Sequence, residues 1–142
     1  MAIRKNVYQI IEADEKFSIL FEILNKTGIG KAIRHEENPF TFFAPTDGAF
    51  YQIIQKAPDT PLPDIGKIPV ASILSRHIIP GVLLYTDDLR SRQSITNLEG
   101  KTLMIKQDDH RVFIGAAQIL TPATSALNGV VFAVDKVLLD EI

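Results

Sequence analysis

The side chains able to do chemistry are few. The chain has three histidines, no cysteine and no tryptophan. Thiolate nucleophiles, cysteine-ligated zinc, iron–sulfur clusters and disulfides are therefore excluded from the start. The remaining templates fail one by one. His35-Glu36 opens like the helical zinc motif, but Pro39 stands where the second histidine belongs. Gly100-Lys101-Thr102 has the ending of a phosphate-cradling loop, yet Ile95 occupies the position of that loop's first glycine. There is no Gly-x-Ser-x-Gly elbow. Asp87-Asp88 and Asp108-Asp109-His110 lack the alternating spacing of a calcium loop and read as turn residues. Arg90-Ser91-Arg92 reads as a solvated basic loop. Asn25-Lys26-Thr27 is a glycosylation triplet at the end of a predicted helix.

His77 carries the most information among the ionisable residues. It falls at helical spacing on an apolar stripe with Val70, Ile73, Leu74 and Ile78. One reading is a buried, neutral, hydrogen-bonded histidine, because burying its charge is costly. A sharper one puts it at the edge of a recognition surface with Arg76 beside it. A third pairs it with Asp47 or Asp135 in a small hydrolase, which rests on residue types alone, since a base needs a partner within reach.

The elements that must position these residues change character midway. Asn6, with Gln9 three residues on, predicts a capped helix carrying Val7, Ile10 and Ile11. Asp14 is the next cap, and Phe17, Leu20, Phe21 and Leu24 share one face up to a stop at Gly28. A weakly patterned helix follows from Gly30 to His35. Asn38-Pro39 is a turn, Phe40 to Ala44 a strand ended by Pro45, and Thr46 the cap of a helix with Ala49, Phe50, Ile53, Ile54 and Ala57 on one face. Pro58 to Ile68 reads as a loop, and Pro69 as the first residue of the helix that runs through His77 to Pro80-Gly81. Val82–Tyr85, Ser94–Leu98, Thr102–Lys106, Arg111–Ile114 and Val130–Val134 then read as short strands, some alternating as half-buried antiparallel strands do. A helix-rich N-terminal half followed by strands predicts an α+β fold.

Composition bounds the rest. The 142 residues read as a single domain over 1–142, with 1–5 as a flexible tail. A net charge of −2 gives no basic footprint for nucleic acid. The longest apolar run, Val130 to Val134, is far short of the roughly 20 residues that span a membrane. The opening residues do not read as a signal peptide.

Three segments resemble the fasciclin domain family. Thr41-Phe42-Phe43-Ala44-Pro45-Thr46-Asp47-Gly48-Ala49-Phe50 is similar to its first signature. Leu74-Ser75-Arg76-His77-Ile78-Ile79-Pro80-Gly81 resembles its central segment, and Asn128-Gly129-Val130-Val131-Phe132-Ala133-Val134-Asp135-Lys136-Val137-Leu138-Leu139 its closing one. Leu98-Glu99-Gly100-Lys101-Thr102-Leu103 fits the usual hairpin, and Asn6 to Gly28 the first two helices. The resemblance implies a wedge-shaped β-sandwich of about seven strands with helices packed at one side. It also implies an extracellular, cell-surface or periplasmic adhesion module that binds a protein or glycan at the cell surface or matrix; the chain is expected to be a monomer without a cofactor. Arg76-His77 stands where the family has a Tyr-His pair, and is the implied binding position. The integrin binding tied to that pair in animal members is not carried over, since Arg76 does not replace a tyrosine ring. Phe132 stands where the closing signature often has histidine, and Ala123-Thr124-Ser125-Ala126 where animal members often have Asp-Ile.

Thr41, Ala44, Pro45, Thr46, Asp47, Phe50, His77, Pro80, Gly81, Asn128, Gly129 and Asp135 are expected to serve the fold, with Asn128-Gly129 as the tight turn that feeds the last strand, since both residue types tolerate positive φ. The leading expectation is a non-enzymatic interaction module. An alternative is an envelope protein that binds a small ligand or lipid in an apolar cleft between the sheets, supported by the abundance of phenylalanine, eight residues against three tyrosines, which otherwise reads as a phenylalanine-rich core.

Overall fold

The computed structural model describes residues 5–35, 38–56, 64–65, 68–109, 111–120 and 122–138. Helices α1 (Val7–Ala13), α2 (Ser18–Thr27) and α3 (Ile29–His35) open the chain, with a 3₁₀ turn at Glu15–Phe17 between the first two. The predicted caps act as expected. Asn6 Oδ1 accepts from Gln9 N at 2.9 Å while Gln9 Oε1 accepts from Asn6 N at 3.0 Å. Gly28 closes α2 at φ 80°, a left-handed conformation that glycine adopts without steric cost. Of the predicted tail only Lys5 is described, and its carbonyl accepts from Leu127 N at 2.8 Å; residues 1–4 lie outside the described residues.

The centre is a strand pair. β1 (Phe40–Pro45) runs parallel to β10 (Gly129–Val134), in register from Phe40 opposite Gly129 to Pro45 opposite Val134. The first and last signatures are thus neighbours in space. All six residues of each strand are buried, as expected for strands covered on both faces. Alternation splits them between two cores. Phe40, Phe42, Ala44, Val131 and Ala133 face a cluster with Val7, Ile11, Leu20, Leu24 and Phe50 from the helices. Phe43, Val130, Phe132 and Val134 face the second sheet, where the rings of Phe43 and Phe132 stack at 5.5 Å.

The first sheet has the order β4-β1-β10-β9, with β4 (Ile78–Pro80) and β9 (Thr124–Ser125) antiparallel to their neighbours. The second has the order β5-β6-β7-β8, formed by Ser94–Thr96, Thr102–Gln107, Val112–Ile114 and Ala117–Gln118, all antiparallel. Leu103, Ile105, Val112 and Ile114 point inward, while Thr102, Met104 and Lys106 are exposed. These eight strands in two sheets, with helices on one side, make the expected α+β architecture, one strand richer than anticipated.

Several expectations are corrected. The helix predicted to run through His77 is α5 (Val70–Ser75) and stops before it. Arg76 N and His77 N make turn-type bonds to Ile73 O and Leu74 O, and Ile78 and Ile79 join the sheet. Pro69 ends a short strand instead of starting the helix: β2 (Asp64–Ile65) pairs with β3 (Ile68–Pro69) inside the predicted loop, whose residues 58–63 and 66–67 lie outside the described ones. Val82–Tyr85 is not a strand. The Thr41 hydroxyl donates to Val82 O and accepts from Leu84 N, both at 2.9 Å, so a buried side chain takes the place of a ladder. Thr86–Arg90, unforeseen, forms α6 with Leu89 buried. The remaining helix, α4 (Asp47–Lys56), starts where predicted: Thr46 Oγ1 accepts from Ala49 N at 3.4 Å.

Candidate functional site

The central segment is the junction of the fold. His77 lies two residues past the end of α5, and its ring is held between that helix and the C-terminal run. Nδ1 lies 2.8 Å from Ile73 O, and Nε2 accepts from Leu138 N at 2.9 Å. That pair of partners assigns the neutral tautomer with the proton on Nδ1. The His77 carbonyl accepts from Phe43 N at 2.9 Å, tying the same residue to β1. His77 is fully buried. Burial pushes its pKa from 6.5 down to about 4; the bond to Ile73 O opposes this and the charge of Arg76 adds to it. The interior reading of His77 is the one the geometry supports, and its ring does not reach the surface.

Arg76 is also buried, at 7% exposure. Its Nε donates to Glu99 Oε1 at 2.9 Å, in a pair largely removed from solvent. Glu99 sits on the turn that links β5 and β6, and Asn97 organises that turn. Asn97 Oδ1 accepts from Glu99 N and Lys101 N, both at 3.0 Å, and its Nδ2 donates to Arg76 O at 3.3 Å. Leu98 N donates to Ile78 O at 2.8 Å. The turn is therefore fastened to the central segment at three points. Leu98, Gly100 and Lys101 remain exposed on it. Arg76 acts from behind this surface as a support.

The other signature residues hold elements together. Asp47, first residue of α4, accepts from Ser18 Oγ at 2.5 Å and Ile19 N at 2.8 Å, which caps the start of α2. Asp135 Oδ1 accepts from Gln118 N at 2.7 Å, and its carbonyl accepts from Gln52 Nε2 at 3.1 Å. Neither carboxylate is bonded to His77, so the hydrolase arrangement is not assembled. Asn128, expected as a turn residue, instead accepts from Val7 N at 3.0 Å and donates to Ile33 O at 2.9 Å. Gly129, expected to supply a positive φ, is required for closeness: a Cβ there would lie 2.4 Å from Phe40 O. Pro80 is exposed at the end of β4, and Gly81 (φ 80°) turns the chain away, its N donating to Pro39 O at 2.8 Å. Ala44, Pro45 and Phe50 are buried.

The outlying motifs stay apart. Asp87 and Asp88 lie exposed in the first turn of α6. Asp108 is tied to Arg111 across a surface turn at 2.7 Å, and Arg90 reaches Gln107 and the Asp108 carbonyl. Asn25 is exposed and accepts from Tyr8 Oη at 2.7 Å. His35 ends α3, while Glu36 and His110 lie outside the described residues. No group of three or more histidines and carboxylates gathers as a metal site among the described residues. Sequence reasoning missed Glu99, Asn97 and Leu138. The first two were legible as Asn-Leu-Glu-Gly turn chemistry; the third acts only through its backbone.

The comparisons with known proteins bear on the family and the fold. The model of the Fasciclin domain family matches residues 15–140. Protein sll1483 of Synechocystis sp. is 28% identical over 133 residues, covering 94% of this chain and 72% of that protein. The uncharacterized protein sll1735 of the same organism is 30% identical over 136 residues, covering 94% of this chain and 97% of that one. Transforming growth factor-beta-induced protein ig-h3 of Sus scrofa is 24% identical, and this chain spans 19% of its length. Among solved structures, a FAS1 domain pair from the insect cell adhesion molecule Fasciclin I superposes with a TM-score of 0.80 at 16% identity, over 96% of this chain and 51% of that one. The fold is shared with that structure.

Proposed function

Because the chain belongs to the fasciclin domain family, we propose that it is a non-enzymatic interaction module whose partner is a protein or glycan of a cell surface or matrix. Its place of action is extracellular, at the cell surface or periplasmic, and it works as a monomer. The role in adhesion comes from the family and from the name of the insect protein that shares the fold.

One observation carries the reading. The ionisable residues of the central segment are spent inside the fold: both His77 ring nitrogens are bonded to backbone groups, and Arg76 braces Glu99. What that bracing presents outward is the Leu98–Lys101 turn, a rigid surface element with an exposed aliphatic side chain and a cation. Such a turn suits recognition, because ordering it on binding costs little further entropy. Arg76 and His77 are positioning residues behind it.

The test is affinity capture. The immobilised protein is exposed to envelope and extracellular fractions of its source, beside a Leu98→Asp/Lys101→Glu variant checked for folding by circular dichroism. The expected result is a protein or glycan retained by the parent and lost by the variant. Equal retention by both would overturn the placement. Ester or glycoside turnover that disappears in a folded His77 variant would overturn the non-enzymatic reading.

A further inference from the structure

A groove of about 580 Å³ opens beside the central segment. Ile29, Ala32 and Ile33 of α3 form one wall, and Ile78, Pro80 and Leu98 the other, with Phe40 between them. Asn38 and Ser75 are the polar side chains in the lining, and no charged side chain among the described residues joins it. In a chain with 23% charged residues, that composition selects its occupant.

The physical limits are narrow. A volume within the roughly 300–1,000 Å³ of ligand pockets admits a small molecule. A dry apolar cavity of about 150 Å³ already takes benzene, so this groove accommodates a single long aliphatic chain. A carboxylate or phosphate pressed against it would lose water with no cation among the described lining residues to replace it. A peptide strand is disfavoured too. Strand addition needs open backbone groups at a sheet edge, and at edge strand β4 Pro80 has no N–H while Ile78 O is taken by Leu98 N.

We propose that this groove binds an uncharged single-chain lipid, its aliphatic chain along the Ile29–Ile33 wall and its hydroxyl- or ester-bearing head toward Asn38 and Ser75. Such a site goes beyond the partner-binding turn and is read on the purified protein alone.

The test is a titration with 1-monolauroylglycerol below its micellar concentration, with laurate and dodecyltrimethylammonium as charged molecules of the same chain. Binding is followed by amide chemical shifts. The expected outcome is saturable one-to-one binding of the neutral lipid with shifts at Ala32 and Leu98, and binding of either ion weaker by about tenfold or more. Ala32 is exposed on the groove wall, so Ala32→Phe fills the space without entering the core. It should weaken the neutral lipid by about tenfold with little change in melting temperature, and Leu98→Asp should do the same from the opposite wall. Absence of saturation, equal binding of laurate, or shifts unchanged in both variants would overturn the proposal. So would sedimentation as a dimer that Ala32→Phe disrupts, which would make the groove a contact between two copies.

Discussion

Replacing His77 with leucine keeps an apolar side chain in the interior but removes both of its bonds. Ile73 O and Leu138 N are then left without their partner in a dry setting. Each such loss costs about 1–3 kcal/mol, so the variant should be about 2–6 kcal/mol less stable at pH 7. The pH dependence makes the claim sharper. The imidazole titrates near 6.5 in an unfolded chain and near 4 in the folded one, chiefly because of burial. Between those values the unfolded state takes up a proton that the folded state refuses, so stability rises with pH across the window. The contribution is complete above about 6.5, lost as pH falls toward 4, and constant below that. Its size is about 3 kcal/mol. Urea unfolding by far-ultraviolet circular dichroism at a series of pH values reads it, and subtracting the His77→Leu curve removes titrations common to both. With m near 2 kcal/mol/M, the parent's advantage at pH 7 is a midpoint higher by roughly 1–3 M urea. It should shrink by about 3 kcal/mol at pH 4. An advantage equal at both ends would refute the buried, neutral assignment.

Three further outcomes follow from the packing. Gly129→Ala should lower stability by about 1–3 kcal/mol, because the new Cβ meets the Phe40 carbonyl and pries β10 from β1; a thermal melt would show a drop of roughly 3–10 °C. Asp47→Ala should cost about 1–2 kcal/mol by uncapping α2, leaving the fold intact by circular dichroism in moderate urea. Glu99→Ala, which removes the carboxylate bonded to buried Arg76 Nε, should cost about 3 kcal/mol, whereas Glu22→Ala, removing the exposed i,i+4 pair with Lys26, should cost under about 0.5 kcal/mol in the same urea assay.

What was legible in the sequence depended on how local the cause was. The caps at Asn6 and Thr46 and the stop at Gly28 are settled within four residues, and they stand where the residue types put them. The phenylalanine-rich and valine-rich runs announced β1 and β10, but nothing local says that two strands more than 80 residues apart pair in parallel. The stripe through His77 misled because Ile78 satisfies a helical period and a strand equally well, and pairing with β1 decided between them. α6 was missed because a five-residue helix with one buried apolar residue shows no period. Asn128 looked like turn chemistry, while its partners, Val7 and Ile33, lie far away in sequence. The groove was invisible for the same reason: its walls come from three separate stretches of chain.

In the proposed function the signature residues build a scaffold and the partner reads the turn mounted on it. The most direct measurement is the affinity of the captured partner for three forms of the protein by biolayer interferometry: the parent, Asp47→Ala and Leu98→Asp/Lys101→Glu. Asp47→Ala, weakened but folded, should bind as the parent does, while the turn variant should lose about tenfold or more. Loss of binding by Asp47→Ala while folded, with the turn variant unaffected, would contradict it.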